Sequence, residues 1–253
     1  MKLRNVLISM MMLFLFCSVT AKPKFTIFGG LNLPAGDFAD DSYEDNDSGY
    51  GMMGFGAGAS VYIPLSNPNL NAVFRVMYLQ NNYNVDELKE DIAELYADSD
   101  TLSLDANRSS YRAVPIMGGL SYIGSLSENL SLYLEGMIGI SYISYGESDL
   151  SYFTSTLDIW TGSSLEQYSE TVKYDPNIAF TYSLGGGLLF KDRFKIGLQY
   201  INLGKNEINY TSTYNSNFVG DFWGEYSTGA VDEKGDIDQS ISMFLITLGF
   251  QIN

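Results

Sequence analysis

Few side chains in this sequence could do chemistry in a confined place. Arg75 and Glu135 each sit near the middle of a segment in which apolar and polar residues alternate, and Gln199 occupies a similar height in a third. Alternation turns Glu135 and Gln199 away from the apolar faces of their segments, whereas the segment of Arg75 carries apolar residues on both faces. A guanidinium and a carboxylate brought to facing positions would form an ion pair, and a buried charge requires such a partner. The structural reading is a pair that helps to close an interior; the other reading is an ion gate. Glu135 has no acidic neighbour on its own face, so paired-carboxylate acid–base chemistry does not emerge.

The chain has no histidine, and its one cysteine, Cys17, lies near the amino terminus. Residues 1–5 carry Lys2 and Arg4, an apolar run follows from Val6 to Val19, and Val19-Thr20-Ala21 fits signal peptidase. Residues 1–21 therefore read as a secretory signal peptide cleaved before Lys22, leaving residues 22–253 as one mature domain. Acylation of Cys17 needs a small residue before it, and Phe16 stands there. A mature chain without histidine or cysteine lacks the base for serine–histidine or cysteine–histidine catalysis and the ligands of the usual zinc, copper and haem sites. The chain is accordingly expected to be no enzyme, with no cofactor and no metal site. Loss of Lys2 and Arg4 takes the formal net charge from −16 to −18, which repels phosphate backbones and sets nucleic acid aside as a partner.

Period-two alternation marks eight segments: 24–34, 54–64, 72–80, 111–122, 130–145, 178–190, 194–202 and 241–252. The clearest is 130–145, where Leu130, Leu132, Leu134, Ile138 and Ile140 alternate with Ser131, Tyr133, Glu135, Met137 and Ser141. Arg75 is costly to expose to lipid and is pointed inward. Pro115 sits badly in a central strand and leaves the register of the third and fourth segments open. The connections alternate strictly. Those at 65–71, 123–129 and 191–193 are short; those at 35–53, 81–110, 146–177 and 203–240 are long. Strands of roughly ten residues with short turns at one end and long loops at the other predict an all-β, antiparallel up-and-down transmembrane β-barrel. Eight strands are expected. Ten would result if 207–214 and 218–226, instead of prolonging the last two strands as a hairpin, formed strands of their own.

The long connections hold the remaining candidates. The first carries Asp37, Asp40, Asp41, Glu44, Asp45 and Asp47, and Asp45-Asn46-Asp47-Ser48-Gly49 echoes calcium loops without the later glutamate an EF-hand needs. It reads as a solvated acidic loop, with weak divalent-ion binding as the other reading. In the second, Val85, Leu88, Ile92, Leu95 and Tyr96 have helical spacing, and Asn84 with Glu87 resembles a capping box. The third and fourth are rich in Tyr, Ser, Thr, Asn and Gly, and Trp160, Phe218, Phe222, Trp223 and Tyr226 offer aromatic anchors for an adaptable binding surface. The alternative is a strand extension above the barrel.

Three stretches carry a family resemblance: Phe28-Gly29-Gly30-Leu31-Asn32-Leu33-Pro34, Val114-Pro115-Ile116, and the closing Leu248-Gly249-Phe250-Gln251-Ile252-Asn253. They resemble the outer-membrane β-barrel proteins common in Bacteroidetes-like bacteria. In topology the chain is similar to the OmpA transmembrane domain and OmpX group, with the terminal Phe displaced to Phe250. The resemblance implies a place in the cell outer membrane of a Gram-negative bacterium, contact with outer-membrane lipid and lipopolysaccharide, and assembly by the barrel insertion machinery. It implies roles from structural integrity and adhesion to, for PorT-like relatives, secretion or assembly. The leading expectation is a structural or surface-interaction barrel whose long loops meet an extracellular ligand. The alternative is a narrow porin or transporter for small or hydrophobic solutes. A lipid hydrolase or acyltransferase is disfavoured, because barrel enzymes of similar size usually employ a histidine.

Overall fold

The computed structural model describes residues 22–40, 49–95, 101–108, 110–158, 162–220 and 224–252. Within them the alternating segments become β1 Lys24–Ala35, β2 Gly51–Pro64, β3 Leu70–Tyr83, β5 Tyr111–Ser127, β6 Leu130–Ser144, β9 Asn177–Phe190, β10 Phe194–Gly220 and β11 Gly224–Ile252, with β4 Thr101–Arg108, β7 Ser148–Asp158 and β8 Gly162–Tyr174 between them. The first eight pair antiparallel in the order β1–β2–β3–β5–β6–β9–β10–β11, and β11 pairs with β1 from Phe25↔Ile252 to Ala35↔Ser242. The ring is closed, so no edge remains in the barrel wall. The molecule is an eight-stranded antiparallel up-and-down β-barrel.

Side-chain alternation divides the wall as the sequence pattern requires. Leu248, Leu184, Ile138, Phe180, Ile27 and Phe194 point outward and are exposed, while Leu245, Met117, Met243 and Ile201 between such residues are fully buried. An exposed apolar belt on a closed barrel is stable only against an apolar solvent. No helix among the described residues is long and apolar enough to cross a membrane. Pro115 faces the interior, and the β3–β5 ladder is interrupted beside it, between Val76↔Ile116 and Leu79↔Ala113. That is how a residue without an N–H is tolerated inside the ring.

Two of the short connections are tighter than the sequence suggests. β5 runs to Ser127, so that only Glu128 and Asn129 separate it from β6. Between β9 and β10 the three residues expected, 191–193, remain: Lys191 and Asp192, both at positive φ, are the central pair of a turn closed by the Arg193 N–H on the Phe190 carbonyl at 3.0 Å. This conformation matches the twist of a hairpin even without the usual Asn-Gly.

The long connections build structure beyond the ring. Residues 207–214 and 218–220 fall within β10 and residues 224–226 within β11, and the two strands pair from Phe194↔Phe250 to Gly220↔Gly224. The ten-strand alternative is therefore not taken. β10 leaves β9 after Asn202↔Tyr182 and takes β8 as its neighbour from Tyr210↔Tyr174 onward. β8 then pairs with β7, and β7 with β4. These three strands are absent from the sequence reading because solvated Ser, Thr, Asn and Tyr give little apolar contrast between faces. Helix α1, Val85–Leu95, stands where its spacing predicts; Ile92 is buried, and Val85 and Leu88 pack on the core. The Asn84 side chain accepts only a long bond, 3.4 Å, from the Glu87 N–H.

The switch of partners is made at Gly204, which has φ +79 beside a register shift between Asn202 and Lys205. A Cβ there would lie 2.7 Å from the Phe180 carbonyl oxygen. Gly204→Val should therefore cost about 1–3 kcal/mol locally. We expect it to sensitise the hairpin to limited proteolysis while the heat-modifiable gel shift of the barrel persists; unchanged protease resistance would contradict this account of the seam.

Candidate functional site

An eight-stranded ring leaves an interior just wide enough for side chains to fill. Its two halves are filled in different ways. Toward the long loops the filling is mainly apolar: Met77, Leu79, Met137, Ile143, Ile201, Met243 and Leu245 are buried together, with Asn32, Asn81, Ser141 and Thr181 buried among the strand ends. Phe38, on a single 3-10 turn at Gly36–Ala39, is fully buried against them and lies 5.1 Å from the Tyr111 ring. The first long connection thus turns back into the barrel mouth. Its return is fixed by bonds from the Gly49 N–H to the Asp37 carbonyl (2.9 Å) and from the Tyr50 N–H to the Asp40 carbonyl (2.9 Å). The Tyr50 hydroxyl donates to Asp91 on α1 at 2.6 Å, coupling this plug to the helix.

Toward the short turns the filling is ionic. Arg75 on β3 and Glu135 on β6 meet at 2.6 Å, both nearly solvent-free. Arg75 also donates to Ser60 (2.7 Å), Gln199 (2.7 Å) and the Tyr62 hydroxyl (3.0 Å). Gln199 in turn donates to Ser183 at 2.8 Å. The structure therefore brings together Arg75, Glu135 and Gln199, and adds two residues the sequence reading had left outside the site. Lys195 donates to the other Glu135 oxygen at 2.9 Å and to the Tyr62 hydroxyl at 2.8 Å. Tyr62 itself donates to Glu135 at 2.8 Å. Alternation had already turned Lys195 and Tyr62 inward; what sequence did not reveal is the stagger between strands that lets them reach Glu135.

Rings complete the cluster. Lys195 Nζ lies 3.8 Å from the Tyr133 ring centroid and 4.3 Å from that of Tyr62, and the Arg75 guanidinium lies 5.0 Å from that of Phe28. Cations against ring faces are partly compensated for lost water. The arrangement links β1, β2, β3, β6, β9 and β10 by side chains alone. It offers no activated nucleophile, and its carboxylate is fully engaged.

Above the ring, aromatic contacts continue from the plug into the added sheet. Tyr111 lies 5.5 Å from Tyr145, Tyr145 lies 6.0 Å from Tyr174, and Tyr174 lies 6.4 Å from Tyr210. Farther out, Tyr152, Tyr168 and Tyr214 form a stacked row across β7, β8 and β10, at 5.0 and 6.1 Å. Of the aromatic anchors suggested by sequence, Trp160, Phe222 and Trp223 lie outside the described residues. Tyr226 stands in β11 opposite Phe218, with its side chain also outside them. The carboxylates at 41–47 of the first connection lie outside them as well.

No family model matches the chain, and no curated protein matches it in sequence. Among solved structures it is similar to Ail, the attachment invasion locus protein of Yersinia pestis, at 12% identity and a TM-score of 0.36, over 92% of this chain and 100% of that one. It is similar to the outer membrane protein OprG of Pseudomonas aeruginosa at 13% identity and a TM-score of 0.41, over 91% and 96% of the two chains. It is also similar to a major outer membrane protein of Thermus thermophilus at 10% identity and a TM-score of 0.34, over 91% and 98%.

Glu135→Gln would leave Arg75 and Lys195 buried without their counter-charge, a change that costs about 3–5 kcal/mol in comparable sites. The urea midpoint of the heat-modifiable gel shift should fall accordingly. A midpoint equal to that of the unaltered protein would show that the cluster contributes little to closure.

Proposed function

We propose that this chain is an integral outer-membrane barrel, exported by a signal peptide at residues 1–21 that is cleaved before Lys22, and that it works at the cell surface through the sheet its long loops build. The filled lumen carries this reading. Among the described residues, Phe38 and the buried methionines occupy one end of the lumen and the Arg75–Glu135–Lys195 cluster the other, which supports a ring closed to solutes. This speaks against the narrow-transporter reading.

What the chain elaborates instead lies beyond the apolar belt. From Lys205 to Gly220, β10 projects roughly 50 Å along its own direction and carries β11 on one side and β8, β7 and β4 on the other. Its exposed faces are polar and tyrosine-rich, the composition of surfaces that bind by stacking and hydrogen bonding. Of the 30 acidic residues, only Glu128, Glu135 and Asp192 fall outside the four long connections. Lys22, Lys24, Lys191 and Arg193 gather instead at the short-turn end. This asymmetry supports an orientation with the acidic sheet outside the cell and the turns in the periplasm. The expected partners are outer-membrane lipid and lipopolysaccharide around the belt, the barrel insertion machinery during assembly, and an extracellular ligand on the sheet.

The test is to replace residues 205–238 by a two-residue Asn-Gly turn, which removes the hairpin and leaves the ring. Cells carrying the full-length protein should be retained on surfaces coated with extracellular-matrix proteins above a control lacking it. The trimmed form should lose that retention while keeping its gel shift. Equal retention by both forms would remove the extended sheet from the function.

A further inference from the structure

The charge inside the barrel does not balance. Among the described residues, alternation turns four charged side chains inward: Lys24, half-buried at the short-turn mouth, and the buried Arg75, Lys195 and Glu135. Two buried cations thus share one carboxylate. Both of its oxygens are already occupied, one by Lys195 and Tyr62, the other by Arg75. A surplus positive charge in a closed interior surrounded by lipid is costly unless something neutralises it.

Donors are also left over. A lysine ammonium has three N–H groups and an arginine guanidinium five. Lys195 directs two at Tyr62 and Glu135, and Arg75 directs four at Ser60, Gln199, Tyr62 and Glu135. Beside them lies a cavity of about 20 Å³ whose polar lining includes Thr26, Tyr62, Arg75, Lys195, Gln199 and the Glu135 carboxylate, already engaged by both cations. That is enough for one particle of water or halide size and too little for a phosphate or an organic acid. Thr26 is 2% exposed, and its hydroxyl oxygen makes no hydrogen bond among the described residues. A water could satisfy that hydroxyl but would leave the charge; a small anion satisfies both.

We propose that this cavity is a binding site for one small monovalent anion of halide size, held by Lys195, Arg75 and the Thr26 hydroxyl and reached from the short-turn end. The anion is a structural component of the lumen that completes the charge of the cluster. Its removal loosens the barrel.

The test is the thermal midpoint of the heat-modifiable gel shift, measured on protein purified in detergent at fixed ionic strength while chloride or bromide replaces gluconate, which is too large for the cavity. The midpoint should rise with chloride and with bromide and then saturate. Thr26→Val should raise the half-saturating concentration about tenfold, the worth of one hydrogen bond to a charged group. Lys195→Met leaves Arg75 and Glu135 as a neutral pair and should abolish the dependence. In crystals grown with bromide, anomalous scattering should place one ion between Thr26 and Lys195. An identical midpoint in all three anions would overturn the site. So would a halide dependence in Thr26→Val and Lys195→Met equal to that of the unaltered protein.

Discussion

The structure depends on one constraint: a sheet exposed to lipid can leave no backbone N–H or C=O unpaired. The register of β1 against β11, from Phe25↔Ile252 to Ala35↔Ser242, meets it by joining the first strand to the last. Closing after eight strands then fixes the interior, because a ring of that size is no wider than the side chains it must hold. Most of the interior becomes packing. On the proposed reading, function is left to what the connections build at the open end.

Packing an interior with both apolar and charged residues works here because the two are separated by height. The methionines, isoleucines and tyrosines near the long loops exclude water and let Phe38 close the mouth. The ionic cluster near the short turns instead ties strands that are far apart in sequence: Arg75 reaches Gln199 and Glu135, and Lys195 reaches Tyr62. Such a cluster need not add net stability over a well-packed apolar alternative. It does oppose slippage, since moving β3, β6 or β10 by two residues would strand a buried charge.

Much of this was legible in the sequence, and the physical reasons are specific. Period two, with the cost of a cation in lipid, was enough to turn Arg75 inward, and the same alternation set Glu135 and Gln199 on the lumen side. The alternation of short turns and long loops pointed to the up-and-down ring. Lys195 and Tyr62 could be assigned to the lumen face but not to the cluster, because their height relative to Glu135 is set by strand stagger, which no single strand encodes. β4, β7 and β8 were not legible, since a strand solvated on one or both faces shows no apolar period. Phe38 gave no signal either: one aromatic residue in an acidic loop reads as exposed until the Gly49 and Tyr50 amides are seen folding it back.

If side chains fill the lumen and the protein works through its surface, as proposed, the ring should pass no ions. Single-channel recording of the purified protein in planar bilayers, alongside the gel shift that reports a closed barrel, tests it most directly. The account predicts a clear gel shift with no steady conductance above the bare bilayer. A steady conductance that changes with added solute, from protein showing the same shift, would contradict it and establish a path through the ring.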